Sequence, residues 1–397
     1  MTLIQTKGIR NKMFIDIACS QKKKYNQNAY GDYFSSNRFP NMNRVVAVLS
    51  DGLGSGIKAN ILACMTSTML LKFMENHSDI EKSCEIIMNS LPVCKVRGIS
   101  YSTFSAIDCF ENGKAKIVEE GNPDFIWIRN GEVLKPEYQT IQSKDFKNRK
   151  MKVYNINLEQ YDRIIFCSDG ATQVAMGTKQ FPLGLERKGL IKIILNKLAE
   201  APEISSKDLS EYLVHQIELV APNRELKDDT SIVSIYCRDP RESLIFTGPP
   251  YHQNKDSYWA KTFMDFKGKK AISGGTTANI ISRELNIPVV ADLSTNSGKL
   301  PGLSKMDGVD LVTEGILTLT KTLEYLESGK PEKNAAKILM DFLLDSDVIN
   351  FLVGAQMNKA HYDPNLPIEI EIRKNIIKQM AKVLEEKYLK KVNVQFI

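Results

Sequence analysis

Arg44-Val45-Val46-Ala47-Val48-Leu49-Ser50-Asp51-Gly52 carries an apolar run into an aspartate and a glycine, and the glycine-rich stretch Leu53-Gly54-Ser55-Gly56 follows directly. The run reads as a buried strand that delivers Asp51 to its last position, with glycine freeing the backbone to turn. A second run, Arg163-Ile164-Ile165-Phe166-Cys167-Ser168-Asp169-Gly170, ends in the same three residues. Gly31-Asp32 precedes the first run and Asp228-Asp229-Thr230 follows the second. Together they form a set of carboxylates at strand ends, which suits hard divalent cations that take oxygen ligands.

Around these runs the pattern is strand-rich, with two helices inserted early. Phe14–Ser20, Tyr33–Ser36 and Arg44–Ser50 read as strands, Ser55–Asn76 as a long helix and Ile80–Ser90 as a second. Strands then fit Tyr101–Phe110, Ala115–Glu119 and Phe125–Arg129, separated by Glu111-Asn112-Gly113 and Gly121-Asn122-Pro123. Asn-Gly between apolar runs is a strong hairpin signal, so this block is expected to be an antiparallel meander. Helices over Leu190–Ala199 and Lys207–Val220 and a strand over Thr230–Cys237 complete an α+β domain of two packed sheets flanked by helices.

A charged, proline-containing step, Arg238-Asp239-Pro240-Arg241-Glu242, follows, and all seven cysteines lie before it. The expected domains are therefore residues 1–241 and 242–397. In the second, strands Ser243–Thr247, Lys270–Ser273, Val309–Val312 and Val348–Val353 alternate with helices beginning near Asn254, Thr276, Glu314, Lys333 and Pro367. That alternation predicts a smaller α/β domain with a mostly parallel sheet. Its Gly274-Gly275-Thr276-Thr277 turn, a strand end opening onto a helix, exposes backbone N–H groups where an anion could sit. It matches neither G-x-x-x-x-G-K-S/T nor G-x-G-x-x-G, and ordinary capping chemistry accounts for it as well.

The length of 397 residues allows two or three domains. Charged residues at 25% and apolar ones at 43% describe a globular chain rather than a disordered one. A net charge of +6 is modest, and Lys22–Lys24, Lys267, Lys269 and Lys270 read as solvated surface, so no nucleic-acid partner is expected. No apolar stretch approaches the roughly 18 to 20 residues of a membrane span, and the polar start lacks a signal-peptide core, so no membrane association and a cytoplasmic location are expected. The cysteines form no C-x-x-C pair, and the four histidines are scattered; His252 and His361, near Asp256 and Asp363, have no metal-site spacing.

Taken in order, Gly31-Asp32, Asp51-Gly52-Leu53-Gly54-Ser55-Gly56, Glu120-Gly121-Asn122-Pro123, Ser168-Asp169-Gly170-Ala171-Thr172-Gln173 and Asp228-Asp229-Thr230-Ser231 resemble the motifs of metal-dependent type 2C (PPM) protein phosphatases. The match is to the bacterial SpoIIE-like branch and covers roughly residues 10–238. The resemblance implies a PPM-type β-sandwich and two ions, Mn2+ or Mg2+, held by Asp32, Asp51, the Gly52 carbonyl, Asp169 and Asp228, with Asp229 as the alternative to Asp228. Asp51, Asp169 and Asp228 would be the catalytic set, activating a water against phosphoserine or phosphothreonine on a regulatory protein, of the kind that antagonises anti-sigma factors. Asn122 stands where many bacterial relatives have histidine and reads here as a turn residue. The phosphate-holding arginine of eukaryotic relatives has only Arg38, Arg44 and Arg97 as candidates. The early helix pair is a switch in related bacterial phosphatases and reads equally as a covering layer. The region after residue 241 resembles no family; ligand sensing, with a small anionic effector, or partner docking is the expectation for it. A catalytically silent phosphoprotein-binding or ligand-responsive scaffold and a phosphatase of a small metabolite are the competing readings of the chain.

Overall fold

The computed structural model describes residues 13–54, 56–76, 79–90, 102–142, 149–292, 302–355 and 366–397. They divide into two compact units at Asp239/Pro240. Arg97, Ser55, His361 and Asp363 lie outside the described residues.

In chain order the first unit contains β1 (Phe14–Lys22), β2 (Asp32–Phe39), β3 (Arg44–Gly52), α1 (Ile57–Glu75), α2 (Ile80–Ser90), β4 (Ser102–Phe110), β5 (Lys114–Glu120), β6 (Ile126–Arg129) and β7 (Glu132–Leu134). It continues with β8 (Gln139–Gln142), β9 (Lys150–Asn157), β10 (Arg163–Cys167), α3 (Asp169–Thr172), α4 (Glu186–Glu200), α5 (Ser206–Val220) and β11 (Thr230–Arg238). Two antiparallel sheets result, in the orders β2-β3-β4-β5-β9-β8 and β1-β11-β10-β6-β7.

The uninterrupted apolar run of β3 follows from burial on both faces. Val45, Ala47 and Leu49 point into the core between the sheets, with Ile107, Ile117, Phe166 and Val233. Val46 and Val48 point the other way, onto Leu70 and Met74 of α1 and Ile80, Cys84 and Ile87 of α2. The second sheet is covered likewise, Ile165, Cys167 and Ile232 packing on Leu190 and Ile194 of α4 and Leu209, Leu213 and Ile217 of α5. A strand covered on both faces has no polar side to alternate with, so period-2 patterning vanishes where the core is deepest. α5 opens with Ser205, whose hydroxyl accepts from the Asp208 N–H and closes the first turn.

The expected meander is only partly formed. β4 and β5 make a hairpin through Gly113, and β6 and β7 make another through Asn130 and Gly131, both at positive φ as a tight hairpin turn requires. Between them, however, β5 pairs with β9 while β6 pairs with β10 in the opposite sheet. The chain crosses from one sheet to the other at Gly121-Asn122-Pro123, where Gly121 sits at positive φ and Pro123 brings no N–H for a ladder to use.

At this crossing β5 turns Glu119 toward the inter-sheet core, where it accepts from the Ser105 hydroxyl (3.3 Å) and the Phe125 N–H (3.1 Å). Burial, with the Asp124 charge adding, pushes its carboxyl from 4.5 up to about 8. The unfolded chain therefore releases this proton first, so stability falls as pH rises from 4.5 to about 8, and above that the penalty is complete. Glu119→Gln, which keeps an acceptor for both donors, is expected to match the native chain at pH 4 and to exceed it by a few kcal/mol, on the order of the shift, at pH 8. Urea midpoints of both proteins across this range test it; parallel curves would sink it.

The second unit contains β12 (Glu242–Thr247), α6 (Asp256–Met264), β13 (Lys269–Ser273), α7 (Gly275–Leu285), β14 (Val290–Asp292), β15 (Leu303–Met306) and β16 (Val309–Thr313). α8 (Ile316–Ser328), α9 (Ala335–Leu344), β17 (Val348–Val353), α10 (Leu366–Glu386) and β18 (Lys391–Phe396) follow. The sheet order is β14-β15-β16-β13-β12-β17-β18, with β16, β13, β12, β17 and β18 parallel and β15 and β14 antiparallel at one edge. Ile245, Phe351 and Val353 face α8, α9 and α10, whereas Leu244, Phe246 and Ile272 face α6 and α7. The parallel core agrees with the strand–helix alternation of the sequence; β14, β15 and β18 were not visible there. β18 follows the charged end of α10 and is only half-buried, so its residues carry little core signature.

Candidate functional site

β2 and β3 pair so that Asp32 stands directly opposite Asp51. The end of β3 is held by Ser102, whose hydroxyl donates to the Asp51 carbonyl (3.2 Å), and by the Gly52 N–H, which donates to the Gly31 carbonyl (3.2 Å). A Cβ on Gly52 would lie 2.1 Å from the Ala59 carbonyl oxygen in the first turn of α1. Glycine is required here by close approach of helix backbone to strand end, not by a left-handed turn.

The second Asp-Gly pair works differently from the sequence expectation. β10 stops at Cys167, and Asp169 is not its last residue but the first of the one-turn helix α3. A Cβ on Gly170 would lie 2.1 Å from the Asp229 carbonyl oxygen, so this glycine lets α3 sit against the start of β11. That contact brings Asp228 beside Asp169.

The adjacent aspartates Asp228 and Asp229 have separate surroundings. Asp229 accepts from the Lys24 N–H (3.0 Å) and the Gly31 N–H (2.8 Å), one on each carboxylate oxygen, and so anchors the loop before β2. Asp228 accepts from the Asp229 N–H (3.0 Å) and feels the Asp169 charge. The fold thus brings Asp32, Asp51, Asp169 and Asp228 together, with Gly52 next to Asp51; Gly274, Gly275, Thr276 and Thr277 belong to the second unit.

Electrostatically the four carboxyls form one group. Burial, then the charges of Asp32, Asp169 and Asp228, and a hydrogen bond with Asp169 push Asp51 up to about 10. Asp32 is raised to about 7 by burial and by Asp229 and Asp228, against the Ser231 and Ser168 hydroxyls, which favour its ionised form. The Ser231 hydroxyl donates to it at 2.6 Å. Asp169 and Asp228 are raised too, burial being the main cause in each; Lys24 offsets part of the rise at Asp228. Gln173 donates to Asp169 at 3.0 Å.

Among the described residues none of the four has a Lys or Arg ion-pair partner; the guanidinium pairs described in this unit lie at Asp16, Asp108, Glu111, Glu120, Glu159 and Asp162. Clustered like charges resist ionisation unless a cation balances them. The donor set is all oxygen, which fits a hard divalent ion better than zinc or a soft metal. Among the described residues no group of three or more His, Cys, Asp or Glu side chains stands at metal-holding distances. Asp51 and Asp169 are instead hydrogen-bonded to each other.

Two of the arginine candidates are placed by the structure in structural pairs. Arg38 is buried against Glu111 and the Ile15 carbonyl, and Arg44 grips Asp108 through two hydrogen bonds at the opposite end of β3 from Asp51. Asn122 does more than turn the chain. Its side chain accepts from the Thr103 hydroxyl and donates to the Ser105 hydroxyl (3.2 Å) and the Leu49 carbonyl (3.5 Å), lashing the crossing loop to β4 and to β3 just before Asp51. Ser168 and Ser231 were likewise missed as partners of Asp32. Their positions inside the quoted motifs were the available signal, but which carboxyl they serve depends on the pairing of β1, β10 and β11.

Residues 41–238 match the family model described as Stage II sporulation protein E (SpoIIE). No curated protein matches the chain. Among solved structures, the phosphatase domain of the cell fate determinant SpoIIE from Bacillus subtilis is similar at 17% identity and a TM-score of 0.43, covering 58% of this chain and 95% of that one. RsbX in complex with magnesium is similar at 19% identity and a TM-score of 0.40, covering 58% and 98%. The serine/threonine phosphatase of S. agalactiae is similar at 15% and a TM-score of 0.40, covering 56% and 99%. The matched span opens just ahead of β3 and closes with the last residue of β11, leaving Asp32 outside it but enclosing Asp51, Asp169 and Asp228. By that span the first unit of this chain carries a SpoIIE domain, and it has the fold of the PP2C-like phosphatases.

Proposed function

We propose that the first unit is a Mn2+- or Mg2+-dependent phosphatase of phosphoserine or phosphothreonine on a regulatory protein. The observation that carries this is the meeting, on one rim, of four carboxylates from β2, β3, α3 and the start of β11 without a described cationic partner. Two bound ions would supply an acidified water and neutralise the phosphate oxygens. Asp51 would be a ligand common to both. Asp169 and Asp228 would complete one shell, Asp32 and the Gly52 carbonyl the other. Ser231 and Ser168 keep Asp32 oriented and favour its ionised form, and Asn122 holds the strand that presents Asp51. The family match of residues 41–238 supports the reaction class, and the second unit is then the natural seat of regulation. Among the described residues no helix is long and apolar enough to cross a membrane.

The test is phosphate release from an aryl phosphate and a phosphoserine peptide by the full chain, with Mn2+, with Mg2+ and with excess chelator. Turnover is expected only with a divalent ion, and faster for the peptide at equal concentration. Turnover that survives the chelator would overturn the metal assignment. Binding of the phosphopeptide without any turnover would favour a silent scaffold, and turnover confined to small esters would favour a metabolite phosphatase.

A further inference from the structure

In the second unit, β13 and β16 run parallel with Ser273 opposite Thr313, and each strand passes through a single turn into a helix. The two turns touch: a Cβ on Gly315 would lie 3.6 Å from the Cα of Gly274. α7, of 11 residues, and α8, of 13, therefore begin side by side. Neither cap, Gly274 or Gly315, has a side chain, so no cap oxygen closes the first turn of either helix. The Ala278 N–H reaches back to Gly274 and the Leu319 N–H to Gly315. The N–H groups of residues 275–277 and 316–318 precede those first helical bonds and so have no acceptor within their own helix.

A second observation comes from the threonines. The hydroxyls of Ser273 and Thr313 are used locally, both donating to the Glu314 carbonyl at 3.0 Å. Those of Thr277 and Thr318, one in the first turn of each helix, are fully buried at 0% exposure and have no hydrogen-bond partner among the described residues. Thr277 Oγ1 is aimed at the turn, 3.4 Å from where a Gly274 Cβ would be. A buried hydroxyl left without a partner costs on the order of 1–3 kcal/mol, a cost that a ligand oxygen at the turn would remove. Above Gly275 the space is open, since a Cβ there would meet nothing within 4 Å. Glu314 is the carboxylate at this rim; its side chain is exposed.

We propose that the adjoining N-termini of α7 and α8 form a binding site for one phosphoryl group, carried by free phosphate or by a small phosphate ester. Paired helix dipoles and adjoining N–H groups favour an anion, and the Thr277 hydroxyl provides a directed donor. The absence of a lysine or arginine from both turns, Gly274–Thr277 and Glu314–Thr318, makes this recognition by neutral donors, suited to a ligand that binds and leaves. This site is separate from the carboxylate rim and does not depend on the reading of the first unit.

The experiment is calorimetric titration of the full chain, in chelator and at constant ionic strength, with inorganic phosphate and with glycerol 3-phosphate. Saturable binding is expected, weakened roughly tenfold or more in Thr277→Val. It should be lost in Gly275→Asp, whose carboxylate occupies the same field and leaves the thermal midpoint no lower than native. Tighter binding of the ester identifies an esterified phosphate as the ligand, and tighter binding of phosphate identifies the free ion. No saturable binding of either, binding unchanged in Gly275→Asp, or binding lost in Asp51→Asn would overturn the assignment.

Discussion

Asp51→Asn is expected to lower metal-dependent phosphate release by roughly a hundredfold or more, while the urea midpoint of the first unit in chelator stays level or rises. The two readouts move in opposite directions for one reason. Asp51 stands opposite Asp32 and is hydrogen-bonded to Asp169, so its burial among like charges pushes it up to about 10 without a counter-ion. An amide removes that repulsion and with it the negative charge that would draw cations to the rim. Addition of Mn2+ should therefore raise the thermal midpoint of the native chain and scarcely move that of the variant. Equal turnover in the two proteins would remove Asp51 from the proposed ligand set. Equal stabilisation by Mn2+ would place the ion elsewhere.

The second large effect concerns Gly52. Alanine there would drive a methyl group to 2.1 Å from the Ala59 carbonyl oxygen, an overlap with backbone that no rotamer change relieves. Gly52→Ala is expected to destabilise the first unit by about 3 kcal/mol, as severe overpacking does, and to abolish turnover because the strand end carrying Asp51 must shift. Gly54→Ala is the control: Gly54 also has an unusual backbone, φ +103°, but a Cβ there meets nothing within 4 Å. Its cost should stay near 1 kcal/mol. Urea unfolding followed by Trp127 fluorescence in a Trp259→Phe background isolates the first unit. Comparable losses in both glycine variants would show that backbone conformation, not the press of α1 on β3, is what these positions require.

Much of this molecule was legible along the chain because its signals are local. The apolar run of β3, the Asn-Gly hairpins, the helical stretches over α1, α2, α4 and α5, and the alternation of strand and helix after residue 241 all act within a few residues, where propensity and patterning operate. The ordered Asp-Gly motifs also named residues that meet at the rim, Asp51 at the end of a strand as its apolar run implies, Asp169 and Asp228 just beyond and just before one.

What the chain alone did not decide is which groups become neighbours. The meander failed because β6 finds its edge on β10, more than thirty residues away, and nothing near Gly121 says which sheet is open to it. Asp169 left its strand because the start of β11 crosses over Gly170. Asp228 and Asp229 are adjacent and chemically identical, and only the loop bearing the Lys24 and Gly31 N–H groups assigns one of them to anchoring and the other to the rim. The same holds for Gly274 and Gly315, 41 positions apart and brought together by the parallel pairing of β13 and β16. Sequence determined the elements and the chemical character of their ends; tertiary pairing, through long-range registry that no local preference encodes, decided which ends share a field.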